Sequence, residues 1–480
     1  MIALLLSAYT SIIFILAFFI WKRTKSFAFM LGIFFLFYWG MAGSWIFYFD
    51  ALSGFKGEAI GLHYYYLFDV LFDVKLNKSF LIAISLHSLF IISIQLSVLF
   101  FYRNQKTNVS KVLLLDYRKL YLIALIAIAI SSAFIWSEIT EAFQDNKILY
   151  HVVELNENRF FSLHQLFLQI SITAVVFLTG LLLSPTAEKI KLNSYSVQAH
   201  LLIFPLLVLI LSFLAVLGNK KELMFAGMLT ILFFLSNNRR GKKDLKRLLI
   251  LTMLIILPLF STDIIRGKNF RSLLSLDFEG KKVETEKEKR SLKDVFGSVV
   301  FSNELFFANL SMYGAIEKDV PVAPGISFKY LAASMIPRAI KKDRPEDVYV
   351  HYANGVGANL ESGQGYTIHH ATAWLLNFGV FGVLLGGVII GFIWGRLSSL
   401  QIIRNAAKYK QILIYLVPAI TCAYLPVILR SGIESYKGFI IEGIIFTCLL
   451  VYISLEGMLS KRQLSRRSGS KNHKLLQGGD

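Results

Sequence analysis

Two adjacent histidines, His369 and His370, stand just before a long apolar run. Upstream of them lies a tight basic group, Arg338, Lys341, Lys342 and Arg344, offset within that stretch only by Asp343. Lys220 and Lys221 fill a short turn between two apolar runs, Arg266 follows a third run, and Arg430 closes a fourth. Arginine suits phosphate because its planar fork donates two parallel hydrogen bonds, and lysine supplies a point charge. An imidazole with a pKa near neutrality can take a proton from a hydroxyl. Such a set can grip a multiply charged anion, such as a phosphate or diphosphate, and move a proton beside it. His351, Glu361 and Asp263 are further proton acceptors, and no carboxylate cluster suggests Mg²⁺, so neither metal nor cofactor is expected. Plainer roles compete. Lys220 and Lys221 can snorkel to an interface. Arg430 can pair with Glu434 or Glu442. The 338–344 group can meet anionic lipid, and the two histidines can be interfacial polar residues.

The surrounding elements decide where these groups can act. The chain has 480 residues, 55% of them hydrophobic and 17% charged. Soluble chains carry about 25% charged residues. Repeated apolar runs of about 18–24 residues are each long enough to cross a bilayer. A soluble enzyme, a disulfide scaffold and a disordered protein are thereby excluded. The expected fold is an all-α polytopic membrane protein with eleven spans, at 2–21, 26–48, 79–102, 119–137, 163–184, 199–217, 223–237, 248–265, 372–395, 411–429 and 438–455. Cys422 and Cys448 lie within apolar runs and read as small core residues. Glycines 387, 391 and 395 follow the small-xxx-small spacing of close helix packing.

Basic residues occupy alternate connections. One side collects 26 basic and 5 acidic residues, the other 24 and 26. The excess of +19 therefore lies on one face, which the positive-inside rule makes cytoplasmic. The N-terminus is expected outside and the C-terminus inside. No basic excess remains to suggest nucleic acid. The organisation reads as eight N-terminal spans in 1–265, a large external segment in 266–371, three spans in 372–455 and a basic tail in 456–480. The external segment is nearly balanced, with 15 basic and 13 acidic residues. Within it, 301–314 has helical apolar spacing, 326–342 reads as an amphipathic helix at the outer interface, and the glycine-rich 355–365 reads as a loop. The basic candidates and histidines all fall on this outer side, where membrane topology does not explain them.

This layout resembles the Wzy-type oligosaccharide repeat-unit polymerases, and more distantly the O-antigen ligases. An arginine, ten residues and a glycine recur in that family's large outer segment. Arg344, PEDVYVHYAN and Gly355 match it. Trp374 to Gly382 (WLLNFGVFG) is similar to the family's helix after that segment, and Gly218-Asn219-Lys220-Lys221 to its short turn, with lysine where arginine is more usual. A second arginine-x10-glycine copy is missing. The resemblance implies a GT-C-like membrane glycosyltransferase of a bacterial inner membrane. Its substrates would be undecaprenyl-diphosphate-linked glycans, and its partners membrane lipids, a chain-length regulator and a flippase. On this reading Arg338, Arg344, Arg430, Lys220, Lys221 and Arg266 bind the diphosphate, and His369 or His370 is the catalytic base.

Overall fold

The computed structural model describes residues 1–24, 27–53, 75–102, 111–144, 149, 161–183, 195–217, 223, 227, 253, 303–336, 343–357, 368–399, 420, 423–425, 427–429 and 431–460. The fold is predominantly helical. Among the described residues five helices are long and apolar enough to span a membrane: Ile2–Thr24, Phe29–Phe49, Lys78–Phe101, His370–Arg396 and Ile433–Ser454. A sixth is formed if the pair Arg118–Phe134 and Trp136–Gln144, bent by 66°, counts as one. These lie within a few residues of the expected spans. Most of each of the expected spans at 223–237, 248–265 and 411–429 lies outside the described residues. The chain divides into two compact units.

The first unit comprises Met1–Gln105, Val283–Ile402 and Tyr424–Ile440. Its helices are α1 (Ile2–Thr24), α2 (Phe27–Phe37), α3 (Gly43–Ser53) and α4 (Lys78–Phe101). A π-helical turn, Tyr38–Ala42, joins α2 to α3. Asn77 starts α4 by accepting the Phe80 amide through its side chain. α4 is the axis of the unit and buries residues all round. α1 runs parallel to it: Tyr9 meets Ser85, Gln95 bonds the Ile13 carbonyl and Arg23 the Tyr102 carbonyl.

The long helix α12 (His370–Ser399) is two helices joined at a break, where Phe378 has φ −144° and Gly379 has φ 65° and ψ −157°. A Cβ at Gly386 would lie 2.5 Å from the Trp374 ring. Twelve residues of straight helix would separate them by about 18 Å. Residues 370–377 therefore fold back along the start of the second half, and the crossing proper begins after Gly379, where only glycine tolerates the backbone. That second half runs parallel to α4. Gly387 lies against Phe90 and Ser93, Gly391 against Ile94 and Ser97, and Gly395 against Val98. The glycines thus do the packing that their spacing implied. α1, α4 and this half share one direction, as the alternation of expected spans one, three and nine requires.

α9 (Asn303–Glu317) packs antiparallel to α4: Glu317 bonds Asn77, Tyr313 meets Phe80, and the Asn309 carbonyl meets His87. His87 is nine residues, about 14 Å, into α4. The helical expectation for 301–314 is met, but this helix stands among the spans rather than beside them. α10 (Ile326–Ser334) is shorter than the expected 326–342, whose residues 337–342 lie outside the described set. α11 (Val348–Val356) carries Gly355 inside it, so the expected loop starts later, at the Gly357 cap with φ 77°. A Cβ on Gly355 would sit 2.5 Å from Val320, so the glycine lets α11 approach the chain that leaves α9.

The second unit comprises Lys106–Lys282, Ile403–Ala423 and Ile441–Asp480. It contains α5 (Tyr117–Phe134), α6 (Trp136–Gln144), α7 (Phe161–Leu183) and α8 (Tyr195–Val216), the last with Pro205 inside it. Ser171 of α7 bonds the Ala124 carbonyl of α5, and Ser131 bonds His164. A short antiparallel ribbon pairs β1 (Lys111–Leu115) with β2 (Leu455–Ser460), Lys111 opposite Ser460. Both strands fall in segments assigned to the same face by charge.

Candidate functional site

In the first unit α10 hangs between two anchors at the end where α1 and α4 begin. Its N-terminal end is tied to the break in α12: the Ser327 amide donates to Asn377 Oδ1, and Asn377 Nδ2 donates to Ser327 Oγ. At its C-terminal end, Arg344 Nη2 donates to the Ile336 carbonyl at 3.2 Å and Lys437 Nζ to the Ser334 carbonyl at 2.6 Å. Helix C-termini attract cations because their last carbonyls lack partners. Two cations far apart in sequence thus meet at one helix end. Arg344 is half-buried, and its Nε is buried without a hydrogen-bond partner among the described residues.

Beside this end, Tyr349 of α11 accepts the Gly432 amide at 2.7 Å. Burial first, and the Glu434 carboxylate second, push its phenol well above the ordinary value, so it stays a neutral hydroxyl. The Val348 amide reaches Glu434 Oε1. His351 is engaged with the Pro321 carbonyl at 2.8 Å, which fills one of its ring nitrogens.

His370 opens the folded-back half of α12 and is fully buried. Its Nδ1 lies 2.8 Å from the Ser431 carbonyl and its Nε2 2.9 Å from the Tyr436 hydroxyl. A carbonyl can only accept, so the neutral ring carries its proton on Nδ1, and Nε2 takes the tyrosine O–H. An acceptor hydroxyl would have to replace Tyr436 at Nε2 to give its proton to this ring.

His369 lies deeper. Its amide bonds Ser311 Oγ and the Ala308 carbonyl, and Ser311 meets Thr372 at 2.8 Å. Its Nδ1 accepts the Ala371 amide. Its ring is 4.5 Å from that of His87, edge to face. Asn309 completes this layer. Its Nδ2 donates to the Gly40 carbonyl at 2.9 Å, and its Oδ1 accepts from Ser44. The π-helical turn at 38–42 presents that carbonyl; such bulges recur at functional sites.

Of the residues singled out in the sequence, the structure therefore brings His369 and His370 into the buried layer and Arg344 to the rim above it. Arg338, Arg430, Lys220, Lys221 and Arg266 lie outside the described residues, as do Asp263 and Glu361. Sequence reasoning missed Lys437, His87 and Asn309. Lys437 had the same signal as its neighbours, an outer-side cation near a span. His87 and Asn309 were single polar residues in apolar runs. Among the described residues no group of three His, Cys, Asp or Glu side chains is placed to hold a metal ion. A shallow depression lined by Phe19, Lys22, Arg23 and Leu99 lies at the other end of α1 and α4. No protein-family model, curated protein or solved structure matches the chain.

Proposed function

We propose that the chain is a membrane glycosyltransferase that joins undecaprenyl-diphosphate-linked oligosaccharide repeat units into a surface polysaccharide at the periplasmic face of a bacterial inner membrane. The observation that carries this reading is the meeting of Arg344 and Lys437 at one helix end, on a side whose cations topology leaves unexplained. In the reaction an acceptor hydroxyl oxygen attacks the anomeric carbon of the donor. The bond from that carbon to the diphosphate breaks, and the carrier diphosphate leaves with the electron pair. Arg344 and Lys437 stabilise the charge that develops there. Fixed cationic donors of this kind are worth about 3 kcal/mol each. The hydroxyl proton passes to a histidine, with His370 reached by displacing Tyr436.

Arg344→Ala tests the reading in cells that make the polysaccharide. Single lipid-linked repeat units should accumulate, and polymer yield should fall by about a hundredfold. Long polymer at normal yield, with the protein level unchanged, contradicts it. Arg344→Lys keeps the charge without the fork, and full activity there assigns plain electrostatics. A ligase of the same chemistry is distinguished by deleting the protein: long lipid-linked polymer then accumulates instead of single units.

A transporter of the lipid-linked glycan is the second reading. The break in α12 and the antiparallel insertion of α9 favour it, because transporters build sites from interrupted helices. Purified chain in vesicles separates the two: new polymer supports the transferase, and movement of labelled lipid across the bilayer without polymer supports the transporter.

A further inference from the structure

Among the described residues, the three buried histidines of the first unit differ in what their ring nitrogens have left to offer. His370 has both engaged. His87 Nε2 lies 3.0 Å from the Asn309 carbonyl, so it carries the proton and Nδ1 keeps a lone pair. That Nδ1 is buried with no hydrogen-bond partner among the described residues. His369 is the reverse. Its Nδ1 lone pair is taken by the Ala371 amide, so the proton sits on Nε2, which is likewise buried without a partner. Both residues are 1% exposed. One unused acceptor and one unused donor therefore stand on adjoining rings, 4.5 Å apart between centroids. Two hydrogen bonds through one oxygen span up to about 6 Å.

A metal ion does not suit this pair. Coordination through His369 Nε2 needs a lone pair there, while Nδ1 already uses its own on the Ala371 amide. A carboxylate has no proton for His87 Nδ1, and an ammonium has no lone pair for His369 Nε2–H. A hydroxyl meets both demands. It accepts from one ring and donates to the other. Leaving a buried donor and acceptor unmatched costs about 1–3 kcal/mol each, so the pair has reason to hold one.

We infer that His87 and His369 form a hydroxyl-binding site within the bundle, in which His369 Nε2–H holds the oxygen and His87 Nδ1 receives the proton's hydrogen bond. The occupant is a water molecule or a saccharide hydroxyl. The site stands on the ring geometry and does not depend on the glycosyltransferase reading. If a saccharide hydroxyl enters it, His87 Nδ1 accepts its hydrogen bond.

Solid-state NMR of the full chain in bilayers, with ¹⁵N-labelled histidine, tests this. Both rings should show an unprotonated Nδ1 and a protonated Nε2. In plain bilayers, His369 Nε2–H should exchange magnetisation with water. Adding a polyprenyl diphosphate bearing a hexose distinguishes the sources: retained water assigns a hydration site, and replacement by saccharide protons assigns a substrate hydroxyl. A protonated His87 Nδ1, a direct N–H···N coupling between the rings, or no O–H contact in either sample overturns the inference. His87→Phe should abolish the water contact. Gly40→Ala is a second variant: its Cβ would lie 2.6 Å from Ile91 Cδ1, the end of a side chain that must give way, and 4.0 Å from His369 Nε2. It should weaken the contact while leaving the His370 signals in place, and unchanged contact in both variants also overturns it.

Discussion

At the rim of the first unit, Arg344 and Lys437 place donors on the carbonyls that end α10. In the layer below, Asn309, His87, His369, Ser311 and Thr372 spend most of their polar atoms on one another and on backbone. The rim residues sit where water and ligands can compete with each bond. The layer residues are buried, where a lost partner strands a donor or an acceptor. On the proposed function the rim cations serve recognition, while the hydrogen bonds of the layer hold the fold, and substitutions should separate the two.

The largest stability loss is expected in the layer. Asn309→Leu removes the donor to Gly40 and the acceptor for Ser44, and strands both. Loss of about 3 kcal/mol or more is expected, read as a fall in the unfolding midpoint of the purified chain. A change below about 1 kcal/mol would mean that α9 is not anchored there.

Next comes the contact of α4 with the second half of α12. A Cβ on Gly391 would run into the Ile94 carbonyl, a backbone atom that cannot step aside. Gly391→Ala should cost about 1–3 kcal/mol in the same assay. Gly355→Ala should cost less, about 1 kcal/mol, since it meets the Val320 side chain and no backbone atom.

Arg344→Ala should barely move stability, by about 0.5 kcal/mol, because it gives up one bond at an exposed helix end. A large stability loss in Arg344→Ala would dissolve the contrast and make the arginine a structural cap.

The apolar runs were legible because lipid solvent leaves a length signal, and the five clearest spans match it within a few residues. The packing role of Gly387, Gly391 and Gly395 was legible because small residues at four-residue spacing line one helix face. The break at Phe378–Gly379 was not, since it falls inside an uninterrupted apolar run where glycine is equally at home in a straight span. The descent of α9 was hidden for a related reason. Its sequence NELFFANLSMYGAIE is apolar but shorter than a crossing, so length alone sets it among external helices. Asn309 then reads as a lone polar residue, and only the facing π-turn and His87 reveal its partners. His369 and His370 were legible as chemistry but not as burial. Adjacent residues in sequence took opposite tautomers because one meets an amide donor and the other a carbonyl acceptor.

The rim is decided most directly by binding. Purified full-length chain in lipid nanodiscs should bind undecaprenyl diphosphate, and Arg344→Ala should weaken that affinity by about tenfold or more, the worth of a hydrogen bond to a charged group. Equal affinity in the wild-type and Arg344→Ala chains, both folded, would contradict the assignment of this arginine to a diphosphate.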